Sequence, residues 1–91
     1  GPSKEEREKG FFNFTVIGKF IDGEVIEAKV TGDRDPGYGS TSKMLGESAA
    51  CLALDKQSSP KVSGILTPST AMGDALLVRL ESNAGLSFSI V

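Results

Sequence analysis

Phe11-Phe12-Asn13-Phe14-Thr15-Val16-Ile17-Gly18-Lys19-Phe20-Ile21-Asp22-Gly23 decides how the rest of this chain is read. Phe12, Phe14, Val16 and Phe20 recur at period two, with Asn13, Thr15 and Lys19 between them. Alternation of aromatic and β-branched residues with polar ones predicts a half-buried strand. Asp22-Gly23 is a dipeptide that tolerates the positive φ angles of a tight type I′ turn. Beyond it Val25, Glu27, Lys29 and Thr31 alternate with Ile26, Ala28 and Val30. Residues 11–21 and 24–32 therefore read as a β-hairpin, with the Phe12, Phe14, Val16, Phe20 face turned to a core. A two-stranded ribbon is marginal by itself, so one side of it lies bare unless other segments cover it.

Working outward, Gly32-Asp33-Arg34-Asp35-Pro36-Gly37-Tyr38-Gly39-Ser40 reads as a charged loop broken by Pro and Gly. The pattern then turns helical over about 41–55, with Leu45, Ala49 and Leu52 at i, i+4 and i+7 as the inward stripe. A second stripe of small side chains, Gly46, Ala49, Ala50 and Ala53, predicts a close approach to a neighbouring element. Asp55 to Lys61 is a polar connector. Thr67-Pro68 is a helix-start signal, Thr as N-cap and Pro in the first turn. Gly73 then interrupts, and Asp74 is expected to cap a fresh helix. This gives a short turn and a helix within about 68–82, stopped by Asn83-Ala84-Gly85. Leu86, Phe88 and Ile90 alternate inward along a final strand at about 86–91. The order ββααβ is an α+β fold. Residues 1–10 are a flexible charged segment, of which 1–3 read either as a tag remnant or as native sequence; residues 11–91 are a single domain.

Composition removes several chemistries. The chain has 91 residues, and Leu, Ile, Val and Phe supply 24 of them, enough for one modest core. Ten Lys and Arg against twelve Asp and Glu give a net charge of −2, with no block of like charge suited to nucleic acid. One cysteine, Cys51, rules out an internal disulfide and a multi-cysteine zinc site. Histidine is absent, which removes imidazole acid–base work, Ser–His and Cys–His catalysis and His-ligated metal. No run of 18 apolar residues occurs, so no segment reads as membrane-spanning. Lack of a signal sequence and of disulfides leans toward the cytoplasm.

The chemistry-bearing candidates cluster in the loop. Gly37-Tyr38-Gly39-Ser40-Thr41-Ser42 lacks the third glycine of a dinucleotide fingerprint, and the strand before it belongs to an antiparallel hairpin. Three readings stand at this level: a nucleotide loop at 37–42, a plain turn into the helix, or a helix start whose Ser40, Thr41 and free N–H groups face a ligand bound by another domain. Tyr38 is the sole tyrosine, either a donor to substrate or a ring that packs. Cys51 reads as a buried inert thiol, Asp33, Arg34 and Asp35 as solvated charges, and Glu47 as a carboxylate without a partner.

The stretch from Gly32 to Ala49, with Asp35-Pro36-Gly37-Tyr38 and Thr41 ahead of a helix of Met, Leu, Glu and Ala, resembles the carboxy-terminal part of the saccharopine dehydrogenase-like oxidoreductases. The similarity is to the branch that includes the trans-acting enoyl reductases. Gly64-Ile65-Leu66-Thr67-Pro68, Ala71-Met72-Gly73 and Gly85-Leu86-Ser87-Phe88 are similar to that family as well. The resemblance implies a parent of several hundred residues, with an N-terminal Rossmann domain that binds NAD(P). It makes the present chain a C-terminal fragment that completes the substrate and cofactor cleft and holds no cofactor alone. Its implied partners are the Rossmann domain of its own parent chain and, further, a second copy. By the same resemblance Gly37, Tyr38 and Thr41 face that cleft, with Thr67 and Pro68 as a second group; no catalytic residue is assigned. The rival is a free-standing interaction module that pairs through the hairpin edge.

Overall fold

A computed structural model describes residues 1–56 and 59–91; positions 57 and 58 of the expected polar connector lie outside the described residues. The elements are α1 (Lys4–Lys9), β1 (Phe12–Lys19), β2 (Val25–Gly32), α2 (Gly39–Leu54), α3 (Pro68–Met72), α4 (Asp74–Asn83) and β3 (Leu86–Ile90). The α+β reading and the hairpin, helices and final strand are thus as expected. Ser3, set aside by the sequence reading, is the N-cap of α1. Its Oγ accepts from Glu6 N–H, and Glu6 accepts in return from Ser3 N–H, each at 3.2 Å.

The hairpin turns at Asp22-Gly23, but not as a two-residue type I′ turn. Phe20 N–H donates to Glu24 O at 2.8 Å, and Gly23 N–H donates to Phe20 O at 3.0 Å. The loop is therefore three residues, Ile21 to Gly23. A type I′ turn needs positive φ at both central residues; here only Gly23 has it, at 92°. Asp22 instead accepts from Glu24 N–H through Oδ1 at 2.9 Å.

β2 is the central strand of a three-stranded antiparallel sheet, flanked by β1 and β3. The register puts Phe12, Gly32 and Leu86 in one row, Phe14, Val30 and Phe88 in the next, and Val16, Ala28 and Ile90 in a third. Because side chains alternate, these rows share one apolar face, while Asn13, Thr15, Lys29, Thr31, Ser87 and Ser89 share the other. The first row is buried under the helices. There Phe12 lies across Gly32, where a Cβ would collide with its ring, so the position requires glycine. Phe12, Cys51, Met72, Leu76, Leu80, Ala84 and Leu86 form the core, with Val30, Met44 and Phe88 against it.

The helices cover only that end of the sheet. Farther along the same face Phe14, Val16 and Ile90 keep 58%, 55% and 69% of their surface in water. Of the four residues expected on the inward face, Phe12 alone is core. The accessible surface is 6589 Å², against about 5,000 Å² for an ordinary monomer of this mass. The radius of gyration is 15.0 Å, against about 12 Å for this length.

α2 also departs from expectation. Leu45 and Leu52 point outward, Leu45 with 71% of its surface exposed. The inward face is instead Ser40, Met44, Ser48 and Cys51. Two serines are tolerated there because each meets its own needs: Ser40 Oγ donates to Arg34 O at 3.0 Å and Ser48 Oγ to Met44 O at 2.8 Å. At Gly46 the small-residue stripe makes no close contact, since a Cβ there would meet open space. α2 is tied to α4 by Arg79, whose Nε donates to Asp55 Oδ2 at 2.5 Å and whose Nη1 donates to Glu47 Oε1 at 3.2 Å. Asn83 Nδ2 also donates to Glu47 Oε1, at 2.9 Å. Glu47, expected to stand alone, is thus half of an interhelical clamp. α4 begins one residue earlier than a capping Asp74 would require. Its N-cap is Gly73, with φ 55° and no side-chain bond, and Asp74 sits in the first turn, where its charge favours the helix dipole.

Candidate functional site

The loop before α2 is organised by Asp35, which is not the solvated charge that the sequence pattern predicts. It is 9% exposed. Its Oδ2 accepts from Tyr38 N–H and its Oδ1 from Gly39 N–H, both at 2.9 Å, while its own carbonyl accepts from Ser40 N–H at 2.8 Å. One aspartate therefore satisfies three N–H groups at the start of the helix, groups that otherwise lack intrahelical partners. Gly39 is required by this closeness: a Cβ there would stand 2.6 Å from Asp35 Oδ1 and 2.9 Å from Arg34 Cβ. The N–H groups of Tyr38 first, and of Gly39 and Gly37, hold the Asp35 carboxyl below its ordinary 3.8, against the opposing effect of burial.

The same loop holds α1 in place. Asp35 N–H donates to Arg7 O at 3.3 Å, and Arg34 Nη1 donates to Glu8 O at 2.8 Å. A cavity of about 480 Å³ opens between α1, the loop and the first turns of α2, with Tyr38 on its wall.

The candidate residues divide. Gly37 is exposed at the turn, and Tyr38 keeps 60% of its surface in water beside the cavity. Thr41 is exposed, but its Oγ1 donates to Pro36 O at 2.6 Å. Thr67 is the N-cap of α3, its Oγ1 accepting from Thr70 N–H at 3.4 Å, with Pro68 at the first helical position. The cavity beside Tyr38 is lined by neither Thr67 nor Pro68.

This arrangement does not fit the pyrophosphate of a dinucleotide. Such a group needs the N–H donors of the helix start, and Asp35 already fills them with a carboxylate. The nucleotide-loop reading of 37–42 fails on that geometry, and of the helix-start N–H groups those of Tyr38, Gly39 and Ser40 are not free for a ligand. The missed signal was an Asp just ahead of Pro-Gly and a helix, a residue type that bonds backbone N–H groups two to four positions on. Cys51 is fully buried, and burial raises its thiol above the ordinary range, as an inert core cysteine requires. Among the described residues no group of three metal-ligating side chains occurs, and no helix is long and apolar enough to cross a membrane.

Replacing Asp35 by alanine is expected to lower Tm by about 5 °C, the scale of a lost cap in a chain this short. Asparagine, which keeps one acceptor, should lose less. The folded carboxyl titrates below the unfolded one, so its stabilisation is complete about a unit above the ordinary 3.8 and drains away as pH falls through the folded value. A thermal melt series from pH 6 to pH 2 should therefore show a shallower acid loss in Asp35→Asn than in the native chain.

No family model matches this chain, and no solved structure matches it. Among curated proteins it is 44% identical, over 87 residues and 96% of its length, to a Mycobacterium tuberculosis protein named as a trans-acting enoyl reductase, of which it spans 20%. It is 41% identical over 80 residues to the trans-acting enoyl reductase of Mycobacterium ulcerans, covering 88% of this chain and 19% of that protein. A Mycobacterium bovis trans-acting enoyl reductase is 39% identical over the same span, with the same coverage. The chain is thus similar along nearly all its length to about a fifth of the curated relatives it matches, proteins whose names describe an oxidoreductase.

Proposed function

We propose that this chain acts as a domain of a trans-acting enoyl reductase of the saccharopine dehydrogenase-like type, as its C-terminal part. In this reading it closes the substrate and cofactor cleft and packs against the remainder of the enzyme, and it does not perform the reduction by itself. The observation that carries the reading is the sheet whose apolar face is covered at one end only. An apolar surface this broad marks a docking face. The occupant is the remaining four fifths of a reductase such as those it resembles, for which a match to 20% of their length leaves ample chain. NAD(P) is held elsewhere in that enzyme, by a Rossmann domain; at the start of α2 the Tyr38, Gly39 and Ser40 N–H groups are already taken by Asp35. Gly37, Tyr38 and Thr41, with Thr67 and Pro68, are assigned to the margin of the cleft, and the enzyme to the cytoplasm.

The test is a transplant. The 87-residue matching segment of the Mycobacterium tuberculosis relative is replaced by the corresponding residues of this chain. Enoyl reduction with NADPH or NADH is then measured beside the native relative and a version lacking the segment. The transplant should keep activity within about tenfold of the native protein, while the deletion loses it. A soluble transplant as inactive as the deletion defeats the reading. The rival, strand addition at the outer edge of β1, rests on the position of β1 at the sheet margin. It predicts instead a defined dimer of the free chain, broken by proline at an edge N–H of β1.

A further inference from the structure

Four of the ten Lys and Arg residues line one cavity: Lys4 and Arg7 from α1, Arg34 from the loop and Lys43 from α2. Glu8 is the one carboxylate on its wall. In a chain whose net charge is −2, that concentration of cations runs against composition. Among the described residues Lys4, Arg7 and Arg34 enter no side-chain ion pair, and Lys43 has only Asp33 at 3.8 Å on the open surface. Asp35, the other acid nearby, has both oxygens engaged by N–H groups. The cavity is also ready-built. The bonds from Asp35 N–H to Arg7 O and from Arg34 Nη1 to Glu8 O fix α1 against the loop. Among the described residues the Arg7 guanidinium and most of the Arg34 N–H groups then enter no hydrogen bond, although the Arg7 charge also acts on the Asp35 carboxyl.

We propose that this cavity binds a phosphate monoester, its phosphate held by Arg7, Arg34, Lys4 and Lys43 and its organic body against the ring of Tyr38. Two guanidinium forks and two ammonium groups suit a dianion with three equivalent oxygens better than a single carboxylate. At about 480 Å³ the space exceeds what a bare ion fills and falls in the range of small-molecule sites. The half-open Tyr38 ring supplies a flat apolar wall. The site uses side chains only, so the closure of the α2 helix start by Asp35 does not affect it, and it stands whether or not the reductase reading does.

The experiment is an amide NMR titration of the 91-residue chain with phenyl phosphate, inorganic phosphate and, as a neutral control, benzyl alcohol, at low salt. Phenyl phosphate should give saturable shifts centred on Arg7, Arg34, Tyr38 and Lys43, weakened as salt is raised. Arg7→Gln should reduce affinity at least tenfold. Its backbone carbonyl, the part that holds the loop, is unchanged by that substitution. Lys43→Gln, which touches no anchoring bond, should reduce affinity about threefold or more, and Lys61→Gln should not. Shifts spread without saturation over Lys29 and Lys61 would overturn the site, as would native affinity in both Arg7→Gln and Lys43→Gln. Equal affinity for inorganic phosphate would overturn the role given to Tyr38.

Discussion

Leu80→Ala is expected to lower the stability of the free chain by about 3 kcal/mol, while Leu45→Ala changes it by less than about 0.5 kcal/mol. Both are leucines within helices, and the difference lies in what they touch. Leu80 is 7% exposed and belongs to the cluster of Cys51, Met72, Leu76, Ala84 and Leu86. Its removal leaves a cavity that these packed neighbours close only in part. A chain of this length has on the order of 5–10 kcal/mol in total, and one with so much surface still in water belongs at the lower end. Leu80→Ala should therefore drop Tm by about 15 °C. Urea melts of the two variants beside the native chain decide the matter. Equal losses at Leu45 and Leu80 would mean that α2 presents its leucine stripe to the core after all.

That comparison also marks what the sequence could and could not reveal. Period-two alternation in residues 11–32 identified the hairpin and placed Phe12, Phe14 and Val16 on one face, because a strand has only two faces; Phe20, expected beside them, lies past the end of β1 at the turn. Leu86, Phe88 and Ile90 were assigned to the same face for the same reason, and the register confirms that row by row. The extent of cover was not legible: alternation tells which face is apolar, not how far along it the helices reach. In α2 the helical period gave a false answer. Leu45, Ala49 and Leu52 outscore Ser40, Met44, Ser48 and Cys51 on hydrophobicity, yet the second set is inside. The helix is oriented by its ends, by Asp35 at the start and by Arg79 gripping Asp55 and Glu47 toward the finish. Both are contacts between groups whose pairing no local pattern encodes. At the loop, Tyr38 is beside the cavity as the sequence suggested, whereas the cations around it come from segments up to 39 positions apart, Lys4 to Lys43. Only the fold gathers them.

The double substitution Val16→Lys with Ile90→Lys should leave the free chain nearly as stable as before and abolish its use in a larger enzyme. Val16 and Ile90 flank Ala28 in one row of the apolar face, and both are more than half exposed. In the isolated chain a lysine at either place sends its ammonium into water, so the change is worth less than about 1 kcal/mol, and association in solution should decrease. In the transplant the same row is expected to lie against the rest of the reductase. Two ammonium groups without partners would then be buried, which costs several kcal/mol, enough to reduce activity at least a hundredfold or to leave the transplant unassembled. The control is Thr15→Glu with Ser89→Glu, which flanks Lys29 in the matching row of the polar face. It adds the same number of charges to the same sheet and should leave activity within about threefold. Melting temperature of the free chain and activity of the transplant, measured for both pairs, separate a docking face from a merely exposed one. If the lysine pair is as harmless in the transplant as in the free chain, the apolar face does not pack against the rest of the relative, and the docking role proposed for it fails.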